Sequence, residues 1–312
     1  MDSSRVAVIP PALVAAGIAV GIVAVSTSAI LIRLADAPAL AVAFWRCALG
    51  AAALAPFAWR AQRRAPRLDG AQRRQLVGAG VLLALHFALF ISSLDYTTVA
   101  SSVLLVTMSP LFVGIGATVF LGETPSSRVW RGIAAAGLGA IVVGLGNLGA
   151  GQLDGHGLLG DAMAFGGAAA VAGYLLIGRA ARQRLPVSMY ATAVYAIAAA
   201  VLLVACLATG ASLGIGADGY DAGTWLAIAA LVVGPQLLGH TVFNSLLSTV
   251  SATVVAVAVL AEPVGAGVLA YFILGETPGW LFAVGAPLVL VGVWLASTHP
   301  RRRRVQTPPP VH

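Results

Sequence analysis

Apolar residues fill this chain in long runs separated by short polar stretches. Ten runs stand out, at 11–32, 38–58, 76–94, 99–120, 129–147, 158–178, 188–208, 223–243, 250–273 and 280–297. Each approaches the length of about 20 residues that spans a bilayer as helix. Irregular backbone facing lipid would leave amides unpaired, so every run is predicted to be helical. The first run follows Arg5 and is too long for the core of a cleaved signal peptide, so it is expected to be retained. The pattern predicts an all-α polytopic membrane protein with ten transmembrane helices.

Composition closes off the alternatives. Of 312 residues 59% are hydrophobic and 9% charged, against about 25% charged in a soluble domain. A water-soluble globule would lack the polar residues to cover its surface, and a disordered chain would not carry so many apolar ones. The formal charge of +7 comes from 18 basic residues, all Arg, against 11 acidic ones. These arginines are dispersed among apolar runs, which argues against a nucleic-acid surface and for a membrane-orientation signal. With ten spans, Arg5, the arginines of 59–75, Arg128, Arg131, Arg179, Arg182, Arg184 and Arg301–Arg304 fall on one side. That side is predicted to be cytoplasmic. Both termini then lie inside, in a cytoplasmic (inner) membrane. Trp59, Trp225 and Trp280 stand at span ends, as interfacial anchors should.

An internal repeat refines the picture. Leu121-Gly122-Glu123-Thr124-Pro125 recurs as Leu274-Gly275-Glu276-Thr277-Pro278, an offset of 153 that also aligns Pro110 with Pro263, Gly114 with Gly267, Gly132 with Gly285 and Gly139 with Gly292. Residues 101–144 and 254–297 share 11 identities in 44 gapless positions. One copy of the motif falls in a cytoplasmic loop and the other in an outer loop. Each repeat therefore holds five spans, and the two insert with inverted topology. This is a transporter signature, with the solute site between the halves near mid-membrane. The units are read as 11–147 and 158–297, followed by a basic, proline-rich cytoplasmic tail over 298–312 that is expected to be disordered.

Several soluble-enzyme motifs are set aside. Gly144-x-Gly146-x-x-Gly149 and Gly155-x-Gly157-x-x-Gly160 match a dinucleotide fingerprint but lack its strand and parallel sheet. Gly210-Ala-Ser212-Leu-Gly214, with Asp221 and His240 after it, matches a nucleophile elbow without the strand-to-helix turn. Cys47 and Cys206 lie within apolar runs and read as buried small hydrophobes rather than a disulfide or metal pair. Small residues such as Ala136, Ala140 and Gly144 read as close helix contacts in lipid.

Polar residues inside the spans carry more information, because placing them there is costly. Glu262 sits near mid-span and is followed by Pro263. A carboxylate there needs a cation, a proton or water, or it caps a neighbouring helix. Arg46, inside the second span, cannot discharge itself; it binds a solute anion, pairs with Glu262, or snorkels to an interface. His86 and His240 are candidate proton relays, or donors to helix carbonyls. Gln236, His240, Asn244 and Ser245 form a polar stripe on the eighth span that is expected to face the cavity. Phe44, Trp45, Phe87, Phe90 and Tyr174 are candidate cavity walls.

These residues together resemble the drug/metabolite transporter superfamily, EamA-domain family. Ala41-Val-Ala-Phe-Trp-Arg46 is similar to the family's second-helix pattern. Leu94-Asp95-Tyr96-Thr97-Thr98-Val99-Ala100, Ser109-Pro110-Leu111-Phe112 and Leu121-Gly122-Glu123 resemble the first unit's most characteristic stretch. Gly160-Asp161 with Tyr174 and Arg179, and Glu262-Pro263-Val264 with Leu274-Gly275-Glu276, resemble the second unit. The resemblance covers about 14–297 as two tandem units. One departure is that the first unit has Ser109 where the second has Glu262. The resemblance implies a central solute cavity and alternating access. Its candidate solute- and proton-binding residues are Arg46, His86, Tyr96, His240, Asn244 and Glu262, to which the polar stripe adds Gln236. Pro110 and Pro263 would be helix-bending points.

The function expected is export of a small organic metabolite, an amino acid or a similar solute, linked to protons. The alternatives are an uncoupled facilitative carrier, an intramembrane enzyme or a non-transporting sensor. Neither catalysis nor a metal or cofactor is expected. The partners are the solute, the bilayer and protons, in a monomer or homodimer without nucleic acid.

Overall fold

A computed structural model describes residues 10–63, 67–97, 99–146, 155–216, 219–274 and 280–297. Second-copy motif residues Gly275–Pro278, linker residues 147–154 and the tail from 298 onward lie outside them, as do Arg5 and Arg64. The described residues contain helices and no strand. In chain order these are α1 (Pro11–Ser26), α2 (Ser28–Leu34), α3 (Ala39–Gln62), α4 (Gly70–Ser93), α5 (Val99–Val106), α6 (Ser109–Leu121), α7 (Ser127–Gly146), α8 (Gly155–Arg182), α9 (Val187–Thr209) and α10 (Ala222–Leu231). A wider π-helical turn, Val232–Thr241, leads into α11 (Val242–Leu246), and α12 (Ala252–Val259), α13 (Glu262–Leu274) and α14 (Trp280–Ser297) follow.

Among the described residues eight helical stretches are long and apolar enough to cross a membrane. The two remaining apolar helices, α7 and α14, pack on one another. Large apolar side chains point outward along the bundle, including Leu207 at 69%, Phe120 at 78% and Phe272 at 76% exposure, while Arg46, Gln236 and Asn244 are at most 1% exposed. That distribution is inverted relative to a protein folded in water and suits a surface bathed in lipid.

Several helices differ from the apolar runs. The third begins at Gly70 rather than near 76, where Asp69 and Gln72 close a capping box. Arg60, Arg73 and Arg74 therefore lie on helix ends rather than in a loop. The sixth extends through Arg182, so Arg179 and Arg182 are also helical. The dinucleotide-like glycines 155–160 sit inside α8 rather than at a strand-to-helix turn.

Among the described residues three spans are interrupted, and a fourth carries the π-helical stretch Val232–Thr241. Between α1 and α2, Thr27 Oγ1 and Thr27 N–H both reach Ala24 O, a back-bonding that bends helices. Between α5 and α6, Thr107 Oγ1 binds the carbonyls of Val103 and Leu104. Pro110, second in α6, offers Val106 no N–H. The chain tightens there, with Met108 N–H on Leu105 O. The same device recurs between α12 and α13, where Leu260 and Ala261 donate to Val257 and Ala258 and Pro263 is second in α13. Helices α12 and α13 begin and end 153 residues after α5 and α6. The sequence repeat is thus also a repeat of backbone geometry.

The pair α7 and α14 relates the two units. A Cβ added to Gly132 would lie 2.7 Å from Gly292 O, and one on Gly139 would lie 2.6 Å from Gly285 O. Gly132 and Gly139 are the repeat partners of Gly285 and Gly292. Rising numbers on α7 meet falling numbers on α14, so the two repeat-equivalent helices run antiparallel at backbone contact.

That contact is a test of the packing. Gly139→Val should force backbone from backbone and destabilise the protein by about 1–3 kcal/mol. Gly137→Ala, where an added Cβ meets nothing within 4 Å, should be neutral or stabilising by up to about 1 kcal/mol. Thermal unfolding of the purified protein in detergent compares them; equal melting temperatures would contradict the close contact.

Candidate functional site

The interruptions surround a central cavity. Its walls come from α1 and the α2 end of the first span (Val25, Ser28), α3 (Arg46), α4 (His86, Phe87, Phe90), the start of α6 (Ser109), α8 (Tyr174), the π turn (Pro235, His240), α11 (Phe243, Asn244) and the first residue of α13 (Glu262). Both units contribute. Ser109 and Glu262, repeat partners, face the same space. The cavity volume is about 50 Å3, room for a few waters and well short of the roughly 300 Å3 at which small-molecule pockets begin.

Arg46 reaches it from α3. Its Nε donates to Gln236 Oε1 at 3.0 Å, and its guanidinium carbon lies 3.9 Å from the Phe87 ring centre. Its Nη2 is buried without a hydrogen-bond partner among the described residues. Arg46 and Glu262 do not form an ion pair, although both line the cavity; the ion pair that the described residues show joins Arg179 to Glu123. Glu262 is 8% exposed, and its backbone carbonyl accepts a long bond from Ser26 Oγ.

The imidazoles cluster beside it. His86 Nδ1 lies 3.0 Å from Gly167 O. The His86 ring centre is 6.0 Å from that of Phe90 and 6.3 Å from that of His240, and His240 meets Phe87 edge-on at 5.2 Å. Asn244 accepts from Tyr174 Oη at 2.6 Å and donates to Tyr195 Oη at 3.4 Å. Beyond this layer the end of α8 makes further polar contacts. Arg182 Nε donates to Asn244 O, Arg179 Nη1 to Leu247 O, and Arg179 Nε to Glu123 Oε1. Glu123 follows Gly122, whose φ of 65° ends α6 in the left-handed region that glycine adopts without strain. The first copy of the repeated motif is thus a helix stop that carries one half of an ion pair between the units.

Not every sequence candidate reaches the cavity. Tyr96 lies past the end of α4, 42% exposed. Gln236 is fully buried behind Arg46 and is not on the cavity wall. Ser245 turns back onto Val242 O. Trp45 donates to Leu213 O and stacks edge-on with Trp225, and Phe44 packs on Trp45, so neither walls the cavity, and Trp225 is half-buried rather than a free anchor. Ser212, Asp221 and His240 are not joined: Ser212 accepts from Gly214 N–H, and Asp221 caps α10 through Thr224 N–H. That bond holds the Asp221 carboxyl below its ordinary value. Of the polar wall residues, Ser109 is marked in the sequence only as the repeat partner of Glu262, and Ser28 has no signal there. A second, polar recess of about 320 Å3 lies among Arg33, Asp36 and Asp95 where α2 and α4 end and α3 begins. Partial burial pushes the Asp95 carboxyl up, against the opposing pull of Arg33.

Known proteins match this architecture. The profile of the EamA-like transporter family matches residues 11–145 and again 158–298. An uncharacterized transporter of Archaeoglobus fulgidus is 26% identical over 283 residues, covering 90% of this chain and 95% of that protein. The uncharacterized transporter YwfM of Bacillus subtilis is 25% identical over 242 residues, covering 72% and 74%. A crystal structure aligns with a TM-score of 0.74 over 91% of this chain and 96% of the other, at 19% identity, a likeness of fold alone.

Cys47 and Cys206 are fully buried, which allows a direct test of cavity hydration. Ser109→Cys should react with a small methanethiosulfonate reagent at least tenfold faster than the native cysteines, as read by intact mass. Equal rates would mean that water does not reach the cavity.

Proposed function

This chain belongs to the EamA-like transporter family, and on that premise we propose that it moves a small organic solute, an amino acid or a similar metabolite, across the cytoplasmic membrane by alternating access, as a proton-linked exporter. In this reading ten spans form two inverted five-helix units, 11–147 and 158–297, with both termini inside. The antiparallel contact of α7 with α14 supports the inversion, and the one-sided arginines support the orientation.

The observation that carries the proposal is the central cavity, shared by both units at the interruptions of their helices and lined by Arg46 and Glu262. Inverted transporters bind at such breaks. At about 50 Å3 the cavity is too tight for a metabolite, so a solute enters only when the units part. Glu262 is assigned as the proton or solute-ammonium partner, His86, His240 and Asn244 as its cavity neighbours, and Pro110 and Pro263 as the bending points. Against the catalytic alternative, Ser212 accepts from Gly214 N–H and Asp221 caps α10.

Reconstituted vesicles loaded with amino-acid and nucleoside pools test this reading. An imposed pH gradient should drive flux in the wild type. Glu262→Gln should lower that flux at least tenfold while gradient-free exchange persists. Normal pH-driven flux in Glu262→Gln would remove the proton role and leave a facilitative carrier.

A further inference from the structure

Arg46 holds a charge that no carboxylate among the described residues contacts. A guanidinium keeps its proton, and this one is 1% exposed. Among the described residues it has a neutral acceptor, Gln236 Oε1, and an aromatic face, Phe87. Its Nη2 donor is unspent, and its side chain lines the cavity. Glu262 lines the same small space without pairing to it. Glu262 attracts Arg46 across that space but leaves Nη2 without a contact.

We infer that the transported solute carries an anionic oxygen group, a carboxylate or a similar oxyanion, that docks on Arg46 Nη2, and that Gln236 is the positioning residue that aims this guanidinium. The inference rests on the transporter reading and names the chemistry its site selects. An oxyanion satisfies the buried donor with a charge-assisted bond and neutralises the guanidinium for the crossing.

Gln236 stands behind the cavity wall, its Nε2 without a partner among the described residues, and its oxygen holds Arg46. Its Oε1 is spent on Arg46 Nε. Its side chain fills the space left by Gly50, where a Cβ would stand 2.9 Å from Gln236 Cγ. Its backbone carbonyl accepts from Thr241 Oγ1 at 3.1 Å. The side-chain oxygen and the backbone carbonyl of Gln236 are therefore both engaged, and Phe87 covers one face of the guanidinium. The choice of amide over acid matters: a glutamate here would pair with Arg46 and cancel the charge the solute needs, whereas glutamine orients the group and leaves it cationic.

The test is counterflow in proteoliposomes, read by mass spectrometry. The probe is an equimolar pool of amino acids and short hydroxy acids, each beside its primary amide. The wild type should favour acids over amides. Arg46→Ala and Gln236→Glu should each lower that ratio at least tenfold, the second by quenching the charge, with amide flux retained. Gln236→Leu should raise KM for the acids several-fold with little change in maximal rate. If Gln236→Glu is not monodisperse, Gly50→Ala, which displaces Gln236 without removing a hydrogen-bonding group, should lower the ratio several-fold. An unchanged ratio in these Gln236 and Gly50 variants, with a collapsed ratio in Arg46→Ala, overturns the positioning role alone. An unchanged ratio in Arg46→Ala overturns the anionic group, while its continued flux leaves the transporter reading standing.

Discussion

A polar group inside a lipid-facing bundle must find its partners within the protein, because hydrocarbon offers none. For a carboxyl or an imidazole the demand can be met by changing protonation. For a guanidinium it cannot. Arg46 is the group on which this constraint falls hardest, and its surroundings follow from it. Phe87 supplies a π face, Gln236 a carbonyl oxygen, and the cavity the remaining space. Gly50 is small so that Gln236 fits.

The scaffold is symmetric while the chemistry on it is not. Matching breaks at 107–108 and 260–261, each followed by a proline in the first helical turn, place the first residues of α6 and α13 on the same cavity. One of these is Ser109 and the other Glu262. A helix start tolerates a carboxylate well, so the duplicated backbone accepts either residue. The repeat can thus supply geometry from both sides while a single position introduces charge from one.

Much of the architecture was legible because the signals were long. Apolar runs of bilayer length and a repeated five-residue string survive local ambiguity, and the 153-residue offset located the paired breaks as well as the paired prolines. Arg46, His86, His240, Asn244 and Glu262 were legible as charged or polar residues in apolar context, and all five line the cavity. The facing of Gln236 was not. Four residues separate 236, 240 and 244, which stack on one face of an α-helix. Here Val232–Thr241 is π-helical, with more residues per turn, and the face rotates between 236 and 240. Pro235 inside the span was the available hint. Tyr96 misled for a simpler reason: a family-like motif places a residue along the chain without saying whether the helix has already ended. Phe44 and Trp45 share an apolar run with Arg46, but neighbours in a helix point about 100° apart.

The proposed rocking requires two kinds of contact between the units, and the structure contains both. One must persist through the cycle. The glycines of α7 and α14 bring backbone against backbone over more than a helical turn, and in lipid such packing is a main source of helix association. The other must break cheaply. At the end of α8, Arg179 and Glu123 are 18% and 34% exposed, so water reaches the pair in part and weakens it. Arg179 also holds Leu247 O, a carbonyl that water can serve once that end opens. The α7–α14 contact is therefore a backbone contact whose residues do not line the cavity, while the contacts at the end of α8 are polar. A carrier that must reopen the same end in every cycle gains from that division, because the work of opening is done on bonds that water returns.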